Sequence, residues 1–473
     1  MSENHVQVPH PASDNRYVYR PLRDDPLLIH EDRQERLDNF RRTVNSIKEY
    51  EYEKRLDGLR RACMRLQNNE PFRIHHHFSL LDDTFAEMYS MALMHNKSLR
   101  TLLFTPMFYD FITLDAAYAF CKALRSCNVT ELRIQGNILN HDNRTSLFKA
   151  ISLSSSITRV AFSCNCDCSE TLDRDNSIAV GELLSKNLRL QQLRINVGES
   201  IQGAKRLAEG ISDSDLTRIS ITRSGWRLGR PYPYDTEPST CKILEGVRNA
   251  MVRSLREFAI KSVTPRIPLT DLAEGLQHSM TMKHLKITHS KLDNTSMELL
   301  GQALKLNRSL INLILTHNDI TDMTLAKLIP GLTKKSRLLN LDLTMNCINN
   351  SVIEPFMLAI ADMPSLKRLD LSFNPLGSEG LRLIGISLPT ITLETINLSD
   401  HGAPNGFGEG SLNRNATFDT ELKAAEEALL LGLEHNHHIR YICFGTPPHH
   451  NTKFMTSVKR VLDRNDVSLK RKL

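Results

Sequence analysis

The stretch LKRLDLSFNPLGSEGLRLIGISL, Leu366 to Leu388, changes its apolar spacing part-way along. Leu369 and Leu371 alternate as a short strand requires, with Leu366 leading in and Asn374 and Leu376 following. Leu381, Ile384 and Leu388 then fall three or four residues apart, the spacing of one face of a helix. Strand, turn and helix are all written into one short unit.

The unit recurs. LINLILTHNDI starts at Leu310, LLNLDLTMNCI at Leu338, and MKHLKITHSKL at Met282 with Ser290 in the Asn place. With Leu366, these starts are 28 residues apart, so they share one register. VTELRIQGNIL at Val129 keeps an asparagine at Asn137, and ITRVAFSCN at Ile157 keeps Asn165. Looser units start at Leu99, Leu190, Leu216, Leu255, Leu393 and Ile439, and a degenerate one begins near Phe72 with Ile74. That makes about twelve units over residues 99–450.

Each part of the unit has a physical task. Alternating leucines point to one side of a strand and stack on the strands of neighbouring units. The asparagine suits a buried turn, where its amide satisfies backbone groups left without partners. In SMELLGQALKLN, Met297, Leu300 and Leu304 share one helix face. Such units, each too small to bury its own core, stack into a solenoid. The pattern LxxLxLxxNxL followed by a helix resembles the ribonuclease-inhibitor class of leucine-rich repeats, over roughly three quarters of the chain. The predicted fold is therefore α/β: a leucine-rich-repeat solenoid, or horseshoe, with parallel strands on the concave face, helices outside and a helical segment in front.

The predicted organisation has four parts. Residues 1–30 form a polar, disordered tail. Residues 31–70 form a charged amphipathic helix, with Leu37, Phe40, Val44 and Ile47 on one stripe and Leu56, Leu59, Cys63 and Leu66 on its continuation. Residues 71–462 are the solenoid, whose last helix is closed by a basic tail at 463–473. The nearly balanced charge, 60 basic against 54 acidic residues, does not suit nucleic-acid binding. No apolar run approaches the length of a membrane span and the first residues do not read as a secretory signal. The nine cysteines then read as free thiols in a reducing cytosol.

Departures from the period mark loops. The units at Leu216 and Leu393 are 39 and 46 residues long, through the insertions WRLGRPYPYDTEPST (Trp226 to Thr240) and HGAPNGFGEGSLNRNATFDT (His401 to Thr420). Both follow a strand, so both project from the same rim, as does CDCSETLDRDNS in the unit at Ile157. Arg223, Trp226, Arg230, Tyr232 and Tyr234 are the rim residues suited to a partner. Cys164, Cys166 and Cys168 alternate and lie about three units from His75, His76 and His77, so they make a poor zinc set. GFGEGS, Gly406 to Ser411, lacks the Lys-Ser/Thr ending of a phosphate loop. His289 and His317, in equivalent places of adjacent units, should lie side by side. No residues stand in a nucleophile or acid/base context, and the repeat occupies the chain. The sequence predicts no enzyme, no metal, no cofactor and no small-molecule substrate.

Residues between the leucines face the open side of the strands. Early units supply Arg133, Arg159, Arg194, Arg218, Lys261 and Lys286; later ones present Asn312, Asn340, Asp342, Arg368, Asp370 and Asn397 beside a Thr/Ser column. The first half is expected to be positive and to take an acidic protein segment, the second polar to mildly acidic.

LTDLAEGLQHSMTMKHLKITHSKLDNTSMELLGQAL, Leu269 to Leu304, with the later LDLTMNCINN, resembles the ciliary leucine-rich-repeat subunit of the dynein regulatory complex, the T-complex-associated testis-expressed family. That resemblance implies a non-catalytic scaffold in the cytoplasm, on the axoneme of cilia or flagella, with axonemal subunits or acidic segments as protein partners. The alternative is a cytosolic regulator, a stoichiometric inhibitor or a Ran-type GTPase activator. The second of these carries an acidic tail where this chain has Lys470, Arg471 and Lys472.

Overall fold

The computed structural model describes residues 57–58, 60–69, 83–104, 121–134, 147–148, 150–162, 174–187, 189–197, 200–223, 238–262, 269–399, 416–444 and 452–470. The chain divides into two compact units, Met1–Arg60 and Arg61–Leu473. In the first, only Asp57, Gly58 and Arg60 are described. The expected tail at 1–30, most of the helix at 31–70 and the degenerate unit near Phe72 therefore lie outside the described residues. All that follows concerns the second unit.

Its strands form one parallel sheet in strict chain order: β1 (Thr101–Phe104), β2 (Glu131–Ile134), β3 (Arg159–Phe162), β4 (Gln192–Asn196), β5 (Arg218–Arg223), β6 (Glu257–Ser262), β7 (His284–Thr288), β8 (Asn312–Ile314), β9 (Asn340–Asp342), β10 (Arg368–Asp370), β11 (Thr395–Asn397) and β12 (Tyr441–Cys443). Each begins two residues after a unit start read from the sequence, from Leu99 to Ile439. The register pairs like with like. Leu285, Leu313, Leu341, Leu369 and Ile396 are successive Cα partners, and each is at most 1% exposed. A fully buried side chain of this size stabilises by ~2 kcal/mol, so these columns hold the stack. This is a leucine-rich-repeat solenoid.

Helices return the chain between strands: α1 (Asp83–His95), α2 (Arg174–Lys186), α3 (Ile201–Asp213), α4 (Pro238–Arg253), α5 (Thr270–His278), α6 (Asn294–Leu306), α7 (Asp322–Leu328), α8 (Ile353–Ala361), α9 (Gly377–Ser387), α10 (Ala416–His435) and α11 (Thr452–Lys470). In α6, Asp293 caps the start by accepting from the Ser296 amide, and Met297, Leu300 and Leu304 are buried as their spacing predicts. α11 runs into the stretch expected as a basic tail, ending at Lys470. Neighbouring helices touch through backbone. A Cβ on Gly210 of α3 would lie 2.2 Å from the Gly181 carbonyl oxygen of α2, and one on Gly331 would lie 2.3 Å from that of Gly301 in α6. Only glycine permits this approach.

Two side-chain ladders satisfy the turns. In the first, the Asn318, Asn346 and Asn374 amides donate to the preceding unit at Ile287, Leu315 and Leu343, at 2.8, 2.9 and 2.9 Å. Their oxygens accept from backbone N–H groups of the same preceding units, as Asn346 does from Asn318 and Ile320. The second ladder, at the helix ends, is not anticipated by the repeat pattern. Asn96, Asn187, Asn307 and Asn436 each accept from the two amides that lead into the next strand. Each also donates to a carbonyl of the unit before, for Asn96 that of Leu66 at 2.9 Å. Asn69, with φ 55°, accepts from the Lys97 and Ser98 amides. The helical turn carrying the buried Cys63 and Leu66 is thereby tied to α1 as one repeat is tied to the next.

Candidate partner-binding face

Parallel pairing sorts the outward strand residues into rows. Glu131, Arg159, Gln192, Arg218, Glu257 and His284 occupy one row, each the Cα partner of the next. Arg133, Ala161, Arg194, Ser220, Ala259 and Lys286 occupy the neighbouring row. The expected basic residues do share one face, but Glu131 and Glu257 share it with them, and this sequence reasoning missed. The signal was present: both glutamates stand between the leucine-type positions, in VTELRI and LREFAI, as the arginines do.

The two glutamates divide the cations. Glu131 takes Arg133 at 2.5 Å and Arg159 at 3.7 Å. Glu257 takes Arg218 in a two-bond fork, with contacts of 2.5 and 2.6 Å. These partly exposed pairs add little stability, on the order of 0–1 kcal/mol, but they consume charge. Arg194, Lys261 and Lys286 are exposed and make no ion pair among the described residues. Arg194 is flanked in its row by Ala161 and Ser220, neither of which competes for it or screens it.

The later strands are occupied differently. Asp370 accepts from the Ser372 amide and hydroxyl at 3.0 and 2.6 Å with one oxygen, and from Asn397 at 2.9 Å with the other. Asp342 accepts from the Thr344 amide at 2.9 Å. A side chain of His284 meets Asn312, and Asn312 meets Asn340, extending a polar chain across β7 to β9. These groups hold the strand ends. Arg368 is exposed and makes no ion pair among the described residues. Of the expected rim residues, Arg223 ends β5, while Trp226, Arg230, Tyr232 and Tyr234 lie outside the described residues, as do the Cys164–Cys168 and Gly406–Ser411 motifs.

No family model matches the chain, and no curated protein matches it. Two solved structures stand for its likenesses. One is the TLR13–ssRNA13 complex, at TM-score 0.41 and 15% identity, covering 76% of this chain and 42% of that one. The other is actin-binding site 2 of leiomodin-1, at TM-score 0.24 and 16% identity, covering 32% of this chain and 87% of that one. This chain thus spans less than half the length of the TLR13 chain. The repeat register described above carries the fold assignment.

Among the described residues, no group of three or more His, Cys, Asp or Glu is placed to hold a metal, and no helix is long and apolar enough to cross a membrane. Burial pushes the Cys63 thiol up to about 11 and that of Cys121 up to about 12, so neither is a ready thiolate. His289 and His317 lie side by side, with rings stacked at 4.2 Å and 17°. Burial, then the His317, Lys261 and Lys286 charges, holds His289 below the ordinary histidine value of 6.5. The unfolded chain therefore binds a proton that the fold resists, and stability present above pH 6.5 is lost as pH falls below it. We expect the melting temperature to drop on acidification from about pH 7.5 to 5.5, and to drop less in His289→Asn. Thermal melts of both proteins across that window check it.

Proposed function

We propose that this chain is a non-catalytic scaffold that captures an acidic segment of a partner protein on the strand face. One observation carries this reading: Arg194, Lys261 and Lys286 stand exposed on that face without a carboxylate among the described residues, whereas Arg133 and Arg159 share Glu131 and Arg218 pairs with Glu257. Unpaired cations on a rigid sheet recruit carboxylates without first breaking an internal pair. The resemblance of Leu269–Leu304 to the dynein regulatory complex subunit supplies the proposed setting, a ciliary or flagellar axoneme, where other subunits or acidic tails are the partners.

The test uses a fluorescein-labelled decaglutamate peptide and anisotropy. Wild type should bind it with an affinity that falls as salt rises. The triple variant Arg194→Glu, Lys261→Glu, Lys286→Glu should lose about tenfold or more, while Lys423→Glu on α10 changes little. Equal binding by the triple variant, or tighter binding of a single-stranded RNA by wild type, sinks the proposal. Detergent-resistant axonemal signal from the tagged protein checks the setting; diffuse cytosolic signal counts against it.

A further inference from the structure

Four residues in consecutive units share an unusual backbone. His289, His317, Met345 and Phe373 have φ of 55°, 58°, 55° and 54°, the left-handed region that favours glycine and asparagine. Elsewhere among the described residues that conformation falls on Asn69, Asp319 and Gly377, residue types it suits, and on Lys291. Histidine is also found in that conformation, but at Met345 and Phe373 the chain keeps large side chains of types the conformation does not favour. Strain retained at equivalent places in a stack points to display of the side chains.

The four are in line. The His289 amide donates to the His317 carbonyl at 2.8 Å, and the Met345 and Phe373 amides donate to Ser372 and Ser399 of the following units at 3.0 and 2.9 Å. The imidazole rings stack, and Met345 and Phe373 are 41% and 46% exposed. Beside the His289 end stand Lys261 and Lys286, close enough for their charges to bear on its ring and lacking an ion pair among the described residues. Lys291 and Asp319, the next left-handed residues, neutralise each other at 3.8 Å.

We propose that this column is a docking strip for an extended protein segment, acidic where it meets Lys261 and Lys286 and apolar where it meets Met345 and Phe373. It deepens the acidic-capture reading above and rests on it. From β6 to β10 the strip crosses four strand spacings of ~4.8 Å, roughly 19 Å, which an extended chain covers in about six residues. Charge complementarity fixes one end of the occupant, and the exposed thioether and phenyl ring fix the other.

Two fluorescein-labelled peptides separate the contributions: Glu-Glu-Ser-Thr-Ser-Phe-Leu, and the same peptide ending Ser-Ser. Wild type should bind the first about tenfold more tightly than the second. Met345→Asn and Phe373→Asn should abolish that advantage while raising the melting temperature, because asparagine tolerates the left-handed backbone. Lys261→Glu with Lys286→Glu should weaken both peptides. Equal wild-type affinities, or an advantage that survives in the variants, overturn the strip and leave acidic capture standing. Failure of both peptides to bind overturns the two readings together. A wild-type dimer in sedimentation velocity that Phe373→Asn dissociates would assign the strip to self-association and overturn the proposal.

Discussion

Asn346→Leu uncouples the solenoid in its middle. The Asn346 side chain is 6% exposed and serves two units at once. Its amide donates to the carbonyls of Leu315 and Leu343 at 2.9 and 2.8 Å, and its oxygen accepts from the Asn318 and Ile320 amides at 2.9 and 3.1 Å. Leucine keeps the branching and none of the bonds. Buried backbone groups then lose their partners, each costing about 1–3 kcal/mol, so the expected loss is about 4 kcal/mol. In a stack held by nearest-neighbour contacts, that loss falls on one junction. The expected result is a melt resolved into two transitions, with amide exchange accelerated most across β8 to β10. A single transition at the wild-type temperature would show that the ladder is decorative.

Gly210→Ala is the second large effect, on the opposite side of the sheet. The added carbon would lie 2.2 Å from the Gly181 oxygen and 2.7 Å from its Cα, and both atoms are backbone. No rotamer change relieves such a contact, so α2 and α3 must separate. Overpacking of this kind costs about 3 kcal/mol, against the helix-propensity gain of about 1 kcal/mol that alanine brings at an exposed site. Packing therefore outweighs propensity. Urea denaturation should show a lower midpoint for Gly210→Ala than for the wild type. A stabilised Gly210→Ala would mean that the helices sit further apart than described.

The strand half of each unit was legible because its signal is local and repeated. The spacing of Leu366, Leu369 and Leu371 recurs, with a 28-residue step from Met282 to Leu366, and each of the twelve strands starts two residues after a unit start read from the sequence. The buried faces of α6 and α9 were legible for the same reason, since Met297, Leu300 and Leu304, or Leu381 and Ile384, follow helical spacing. The helix-end ladder was not. Its residues alternate among asparagine and serine, as at Asn187 and Ser279, and their partners lie a whole unit away.

The binding face divides along the same line. From the sequence alone came the list of residues between the leucines, and with it the basic character of the early strands. Only the tertiary structure decided which of those cations remain available. Glu131 and Glu257 capture Arg133, Arg159 and Arg218, and Arg194, Lys261 and Lys286 are left exposed. The left-handed column of His289, His317, Met345 and Phe373 likewise emerges only in three dimensions. Periodicity is a property of one chain read along its length, so a sequence carries it. Charge pairing and backbone strain depend on what lies one strand over, and only folding sets that distance.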